Sequence, residues 1–185
     1  MRVVSVNVSS PRTVPWRGRS IATGIFKEPI AGRVRVETLG LAGDTQADLA
    51  VHGGRAKAVY VYPSEHYPFW RSQYPGLELG WGMFGENLTT EGLIETEVRI
   101  GDTLRIGTTT AIVTQPRFPC FKLGIKFGRK DIIERFRRSE RSGFYVAVSD
   151  PGDVTAGDPI EFLGRSAGQP TVAEAVRARG GEDAG

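Results

Sequence analysis

Ile100-Gly101-Asp102-Thr103-Leu104-Arg105-Ile106-Gly107-Thr108-Thr109-Thr110-Ala111-Ile112-Val113-Thr114 is the stretch on which the fold class turns. Short runs rich in Thr, Val and Ile are separated by glycine. β-Branched side chains suit an extended backbone and glycine suits turns, so strands are predicted over Thr103–Ile106 and Ala111–Thr114. The stretch opens on a Gly-Asp pair that returns at Ala156-Gly157-Asp158-Pro159-Ile160, again before an apolar alternation. Glycine tolerates positive φ and aspartate bonds the nearby backbone, so the echo predicts two similar corners.

The same texture extends in both directions, with 24 glycines recurring between short β-branched and aromatic runs. Further strands are predicted over Arg2–Val8, Arg33–Thr38, Ala58–Tyr62, Val98–Ile100, Gly143–Ser149 and Pro159–Leu163. Helical spacing is confined to Pro63–Gln73, Lys130–Arg138 and Thr171–Arg179. The expected fold is mainly β, a barrel with a few short peripheral helices. Residues 1–165 form the β-barrel domain, and 166–185 a short C-terminal helix and frayed tail without chemistry. The aromatic cluster Tyr60, Tyr62, Tyr67, Phe69, Trp70 and Tyr74 is read as core packing in preference to a base-stacking platform.

With 185 residues, 39% of them hydrophobic, the chain can bury one real core. Its 24 Lys and Arg against 21 Asp and Glu leave a formal charge of +3, spread along the sequence, so nucleic acid is not implied as an obligate partner. No apolar run approaches the ~18–20 residues of a membrane span, and Met1-Arg2-Val3-Val4 does not begin a signal peptide. A soluble, cytoplasmic protein without a membrane partner is expected. One cysteine excludes an internal disulfide, and with only two histidines a metal held by protein side chains alone is not expected. A metal carried inside an organic cofactor, needing one protein sulfur, stays open.

Three islands stand apart from the strand texture. In Gln115-Pro116-Arg117-Phe118-Pro119-Cys120-Phe121-Lys122-Leu123 two prolines fix an extended path to the only cysteine. Arg117 and Lys122 supply the positive charge that favours a thiolate, the form that binds metal or attacks electrophiles. The alternative for Cys120 is a buried small hydrophobe. Gly40-Leu41-Ala42-Gly43-Asp44-Thr45-Gln46-Ala47-Asp48, followed by His52-Gly53-Gly54-Arg55, is too poor in apolar residues for a core element. It reads as an anion-binding loop or as an ordinary polar connection. Gly82-Met83-Phe84-Gly85-Glu86-Asn87-Leu88-Thr89-Thr90-Glu91-Gly92-Leu93 sets Asn87 and Thr89 on one face of a strand, able to share a ligand or simply flanked by turns. Lys27 is a further candidate phosphate contact, against the default of a solvated lysine.

Taken in order, Gly43-Asp44-Thr45-Gln46-Ala47-Asp48, His52-Gly53-Gly54, Lys57-Ala58-Val59-Tyr60, Phe84-Gly85-Glu86-Asn87-Leu88, Ile100-Gly101-Asp102 and Arg117-Phe118-Pro119-Cys120 resemble the MOSC domain family, named for the C-terminal domain of molybdenum cofactor sulfurase. The resemblance runs from about Thr23 to Leu163. Within the family the chain looks most like small stand-alone bacterial proteins that reduce N-hydroxylated compounds, hydroxylaminopurine base analogues among them. It implies a β-barrel and the molybdenum cofactor, molybdenum on molybdopterin, with Cys120 as the metal ligand. Lys27, His52, Arg55, Asn87, Thr89, Arg117 and Cys120 are the implied cofactor pocket. A homodimer is implied as well. Such members carry a longer helical C-terminal extension, whereas this sequence stops soon after Arg179, downstream of the metal site.

Removing oxygen from R–NHOH takes two electrons, which suits a molybdenum centre serving a detoxifying reductase. His52, Glu86 and Asp44 are the candidate proton sources beside Cys120. No glycine run follows the strand–GxGxxG–helix pattern, so flavin and nicotinamide are not expected, nor is pyridoxal phosphate, and an external flavoprotein reductase is implied as electron donor. The competing reading is a sulfur carrier or molybdenum-cofactor carrier that uses Cys120 without reductase turnover. A purely structural β domain is the third.

Overall fold

The structure is a computed structural model and describes residues 1–44 and 54–182. Its strands are β1 (Arg2–Val8), β2 (Arg12–Trp16), β3 (Arg19–Thr23), β4 (Glu28–Pro29), β5 (Val34–Glu37), β6 (Gly40–Leu41), β7 (Val59–Pro63), β8 (Leu88–Glu91), β9 (Thr103–Ile106), β10 (Thr109–Pro116), β11 (Phe144–Asp150), β12 (Gly152–Val154) and β13 (Ile160–Gly164). The helices are α1 (Tyr67–Gln73), α2 (Phe121–Phe127), α3 (Asp131–Ser139) and α4 (Val172–Glu182). Among the described residues no helix is long and apolar enough to cross a membrane.

The quoted stretch builds the β9–β10 hairpin, with Ile106 opposite Thr109 and Leu104 opposite Ala111. It lies inside an eight-stranded sheet ordered β13-β9-β10-β11-β7-β8-β1-β4, antiparallel throughout except for β7 beside β8. The Gly-Asp echo is a repeated corner. Gly101 and Gly157 have φ of 88° and 92°. The Arg99 amide donates to Asp102 Oδ2 at 2.8 Å, and the Thr155 amide donates to Asp158 Oδ2 at 2.9 Å.

The expected closed barrel does not form, and the sheets are open. One edge is β4, two residues ending in Pro29, which has no N–H with which to prolong a ladder. The start of β1 reaches the other edge through an isolated bridge of Arg2 with Pro159 and a few backbone bonds such as Val3 N to Asp158 O, without a continuous ladder. The open sheet nevertheless shares one aliphatic core, in which Val3 and Val6 of β1 meet Leu104 of β9, Val146 of β11, Val154 of β12 and Ile160 of β13. The strand expected over Val98–Ile100 is instead a turn with an isolated bridge from Arg99 to Thr171. Val98 is buried there and its carbonyl takes the Val172 amide, so it anchors the C-terminal helix rather than a ladder.

A second core is aromatic and joins α1, α2 and α3 to the sheet. Tyr62 stacks on Phe84 at 4.5 Å, and the Trp70 indole N–H donates to the Tyr62 hydroxyl at 2.7 Å. The aromatic cluster is therefore core, as its spacing predicts. Helix α2 was not foreseen. It is seven residues long with a helix-unfavourable Gly124 at its centre, yet Leu123, Gly124 and Phe127 bury one face. Helix α4 runs to Glu182, beyond the Arg179 expected, and buries Val172, Ala173 and Val176 against the body.

Candidate functional site

The path to the cysteine begins where β10 leaves the sheet. Pro116 is still paired with Phe144, and the Arg117 amide donates to Gly143 O at 3.3 Å. Proline at 116 and again at 119 limits backbone freedom on the way out, and Cys120 keeps an extended backbone (φ −115°, ψ 171°) before α2 starts. Cys120 is half-buried.

Arg117 is only 6% exposed. Its guanidinium lies 5.2 Å from the Tyr60 ring centroid and 5.1 Å from that of Phe136. Burial opposes its charge, but Tyr60, Tyr145 and Cys120 outweigh that and hold the group above the ordinary guanidinium range. The neighbours felt most strongly are thus phenols and a thiol. Arg117 Nη1 is buried without a hydrogen-bond partner. Such a group normally has one, so the unmet donor marks a place for an acceptor that the described residues do not supply.

A different polar group lies on the other side of β7. Lys27 and Asp44 form a buried ion pair, Nζ to Oδ1 at 2.5 Å, with side-chain exposures of 9% and 2%. Lys27 is therefore not the solvated lysine of the default reading, and burial pulls its pKa down despite Asp44. Asp44 also accepts from the Asn87 amide at 2.8 Å and from the Ser9 backbone at 2.9 Å. Asn87 Oδ1 takes the Tyr60 amide at 3.1 Å. Thr89 accepts from Asn7 at 3.1 Å and donates to Glu86 at 2.9 Å. Glu86 is wholly buried and accepts in addition from Tyr67 at 2.5 Å, Gly82 N at 2.8 Å and Phe84 N at 3.0 Å. Burial and Glu86 hold the Tyr67 phenol well above its usual range, so it remains a donor. Every polar side-chain atom of Lys27, Asp44, Asn87, Thr89 and Glu86 has a protein partner.

Lys27, Asp44, Glu86, Asn87 and Thr89 are thus assembled into one network, while Arg117 and Cys120 form a second cluster. Tyr60 joins the two, its amide on Asn87 and its ring against Arg117. Arg55 is exposed at the start of the 3-10 turn Arg55–Lys57, which Thr114 ties to β10 by donating to Ala56 O at 2.6 Å. His52 lies outside the described residues. Among the described residues, no three His, Cys, Asp or Glu side chains are grouped to hold a metal.

Reading by residue type missed Lys126. Its ammonium donates to the carbonyls of Gly82 (2.5 Å), Ile25 (3.0 Å) and Lys27 (3.3 Å). Burial lowers its pKa to about 8 against the pull of Glu86, with Lys27 adding to the lowering. The carbonyl acceptors come from two segments, 44 and about a hundred residues away in sequence, so no local signal exists. The need for glycine at position 82 is likewise tertiary. At φ +83° a side chain is strained, and a Cβ would come 2.7 Å from Lys27 O.

A family model described as "MOSC domain" matches residues 48–161. YflK, an uncharacterized protein of Bacillus subtilis, is 44% identical over 163 residues, which is 88% of this chain and 73% of that protein. YiiM of Escherichia coli is 40% identical over 145 residues, 77% of this chain and 65% of its own length. A Gibberella moniliformis protein named "Reductase" is 35% identical over 151 residues, 80% of this chain but 27% of that protein. The crystal structure of YiiM from Geobacillus stearothermophilus superposes with a TM-score of 0.81 at 33% identity, covering 98% of this chain and 84% of that one.

Proposed function

The chain belongs to the MOSC domain family, and on that premise we propose that it is a molybdenum-cofactor-dependent reductase of N-hydroxylated compounds, converting R–NHOH to R–NH2. The observation that carries the reading is the pairing of the half-buried Cys120 with Arg117, a buried cation that has an unmet donor. A guanidinium so placed favours negative charge on the sulfur and on a phosphate or pterin oxygen beside it. The likeness to a fungal protein named reductase supports oxidoreductase chemistry.

The residues fit the molybdenum cofactor. Cys120 would be the soft ligand, Arg117 would offer its unmet Nη1 donor to an acceptor of the cofactor, and the exposed Arg55 would offer a second cation for its phosphate. When bound, the cofactor supplies the two-electron redox centre for removal of the hydroxyl oxygen. The balance is R–NHOH plus two electrons and two protons, giving R–NH2 and water, with an external flavoprotein reductase as the source of electrons. The hydrogen bonds of Asp44 and Glu86 to neighbouring side chains and amides favour a positioning role for both, and His52 is the proton donor of this proposal. Lys27, Asn87 and Thr89 act with them, bracing Tyr60 under the guanidinium.

The test is molybdenum and pterin analysis of wild type and Cys120→Ala from a host making the cofactor, together with hydroxylaminopurine reduction by reduced viologen. Cofactor and amine formation in the wild type, both lost in C120A, are expected. Loaded protein without turnover would favour the carrier reading, and wild type that takes up no cofactor would sink the proposal.

A further inference from the structure

One residue beyond the thiol, the chain lines a concave feature. The hairpin β2–β3 turns at Arg17-Gly18, with Trp16 opposite Arg19, and faces α2 and α3 across a cavity of about 540 Å³. Trp16, Arg17, Arg19, Phe121 and Lys130 line it over an apolar floor that includes Ile21 and Ile133. Three cations and no acid face the space. Among the described residues none of the three has an ion pair, and the nearest acid in sequence, Asp131, is held by Arg129 at 3.0 Å and Arg135 at 3.1 Å. Phe121, 48% exposed, and the half-buried Trp16 present aromatic surface to the space, with the Arg17 guanidinium 5.8 Å from the Trp16 ring centroid. Arg17 adopts φ 50° in a turn position usually given to Asn or Gly, so a guanidinium is kept there against backbone strain.

We propose that this groove binds a phosphate monoester carrying a planar heteroaromatic ring, so that the substrate of the neighbouring centre is an N-hydroxylated base in its nucleoside monophosphate form. The reaction named here rests on the reading of Cys120 above, whereas the binding does not. Arginine forks match phosphate oxygens, and the indole and phenyl faces offer stacking to a base. The volume falls within the ~300–1,000 Å³ of small-molecule sites. An acidic protein partner would instead need roughly 800 Å² of its own surface on a broad face, which a concave slot of this size does not offer.

The full chain is titrated with AMP as probe, by calorimetry and by tryptophan fluorescence, and adenine serves as the control. Saturable AMP binding is expected, with adenine at least about tenfold weaker, since each charge-assisted contact is worth roughly that factor. R19E/K130E is expected to lose about a hundredfold by the same reckoning. Arg17→Gly separates binding from folding, because it removes a guanidinium while relieving the turn. AMP affinity should fall although thermal stability does not. Absence of saturable AMP binding, equal affinity for adenine, or AMP binding undiminished in the variants would overturn the proposal. So would loss of pterin and molybdenum from R19E/K130E, which would assign the groove to the cofactor's own phosphate. An acidic flavodoxin binding wild type but not R19E/K130E, with no AMP binding, would assign it to a protein partner. Failure of the reductase reading appears instead in cofactor content and amine formation, and C120A should keep its AMP affinity either way.

Discussion

Two polar clusters flank β7 and differ in one respect. From Lys27 through Asp44, Asn87 and Thr89 to Glu86, every polar side-chain atom is answered by another protein group. At the Arg117–Cys120 corner a fully buried donor is left over. A saturated network fixes loops and strands in place but has no valence for a ligand. An unsaturated buried cation is costly unless something arrives to meet it. On the proposed function, the first cluster serves as the scaffold of the second.

The largest test of that division is Lys27→Met. It strands the Asp44 carboxylate in a buried setting and should cost about 3–5 kcal/mol in urea unfolding. K27M/D44L, which removes both charges, should recover part of the loss, and equal stability of the single and double variants would break the scaffold reading.

Cys120→Ser should do the reverse. On the proposed function, reductase activity should fall by more than about a hundredfold, since even residues behind metal ligands cost 10–100-fold. The unfolding midpoint should barely move. Arg117→Met sharpens the contrast, with activity or cofactor retention down roughly 10–100-fold. Stability should hold or rise, because an apolar side chain replaces a buried charge that lacks a full set of partners. A strongly destabilised R117M would place Arg117 with the scaffold.

The smallest expected effect is on pH dependence. Lys126 has a folded pKa of about 8, below its ordinary 10.5, so between these values the unfolded chain binds more protons. Its burial penalty is present in full below pH 8 and is relieved as the pH rises toward 10.5, contributing about 1–3 kcal/mol of added stability across that window. Chemical denaturation at pH 7.5, 8.5 and 9.5 should show this rise in wild type and lose it in Lys126→Met.

Much of the fold was legible because it is written in local periodicity. The strand at Thr103–Ile106 was located to the residue, and Gly143–Ser149 was displaced by one residue at each end. The two Gly-Asp corners share one hydrogen-bond pattern. Helix α2 was illegible because Gly124 lowers local helix preference, and only packing of Leu123 and Phe127 restores it. The hairpin β2–β3 was missed because Pro15 and three arginines mask a β-branched alternation that stands at the surface.

Within the candidate site, residue types marked Cys120, Arg117, Asn87 and Thr89 as candidates, since thiol, cation and amide chemistry belongs to the side chain itself, while the pocket roles of Lys27, His52 and Arg55 and the proton-source roles of Asp44 and Glu86 came with the family resemblance. Which of them are saturated and which are left wanting was decided by tertiary structure. Satisfaction of a buried donor depends on partners up to a hundred residues away, and the open edge at Pro29 depends on which strands meet. Side-chain chemistry and strand period are local properties that the sequence alone determined. Burial, pairing and the unmet valence of Arg117 are properties of the packed chain, because only packing removes the water that would otherwise satisfy every group alike.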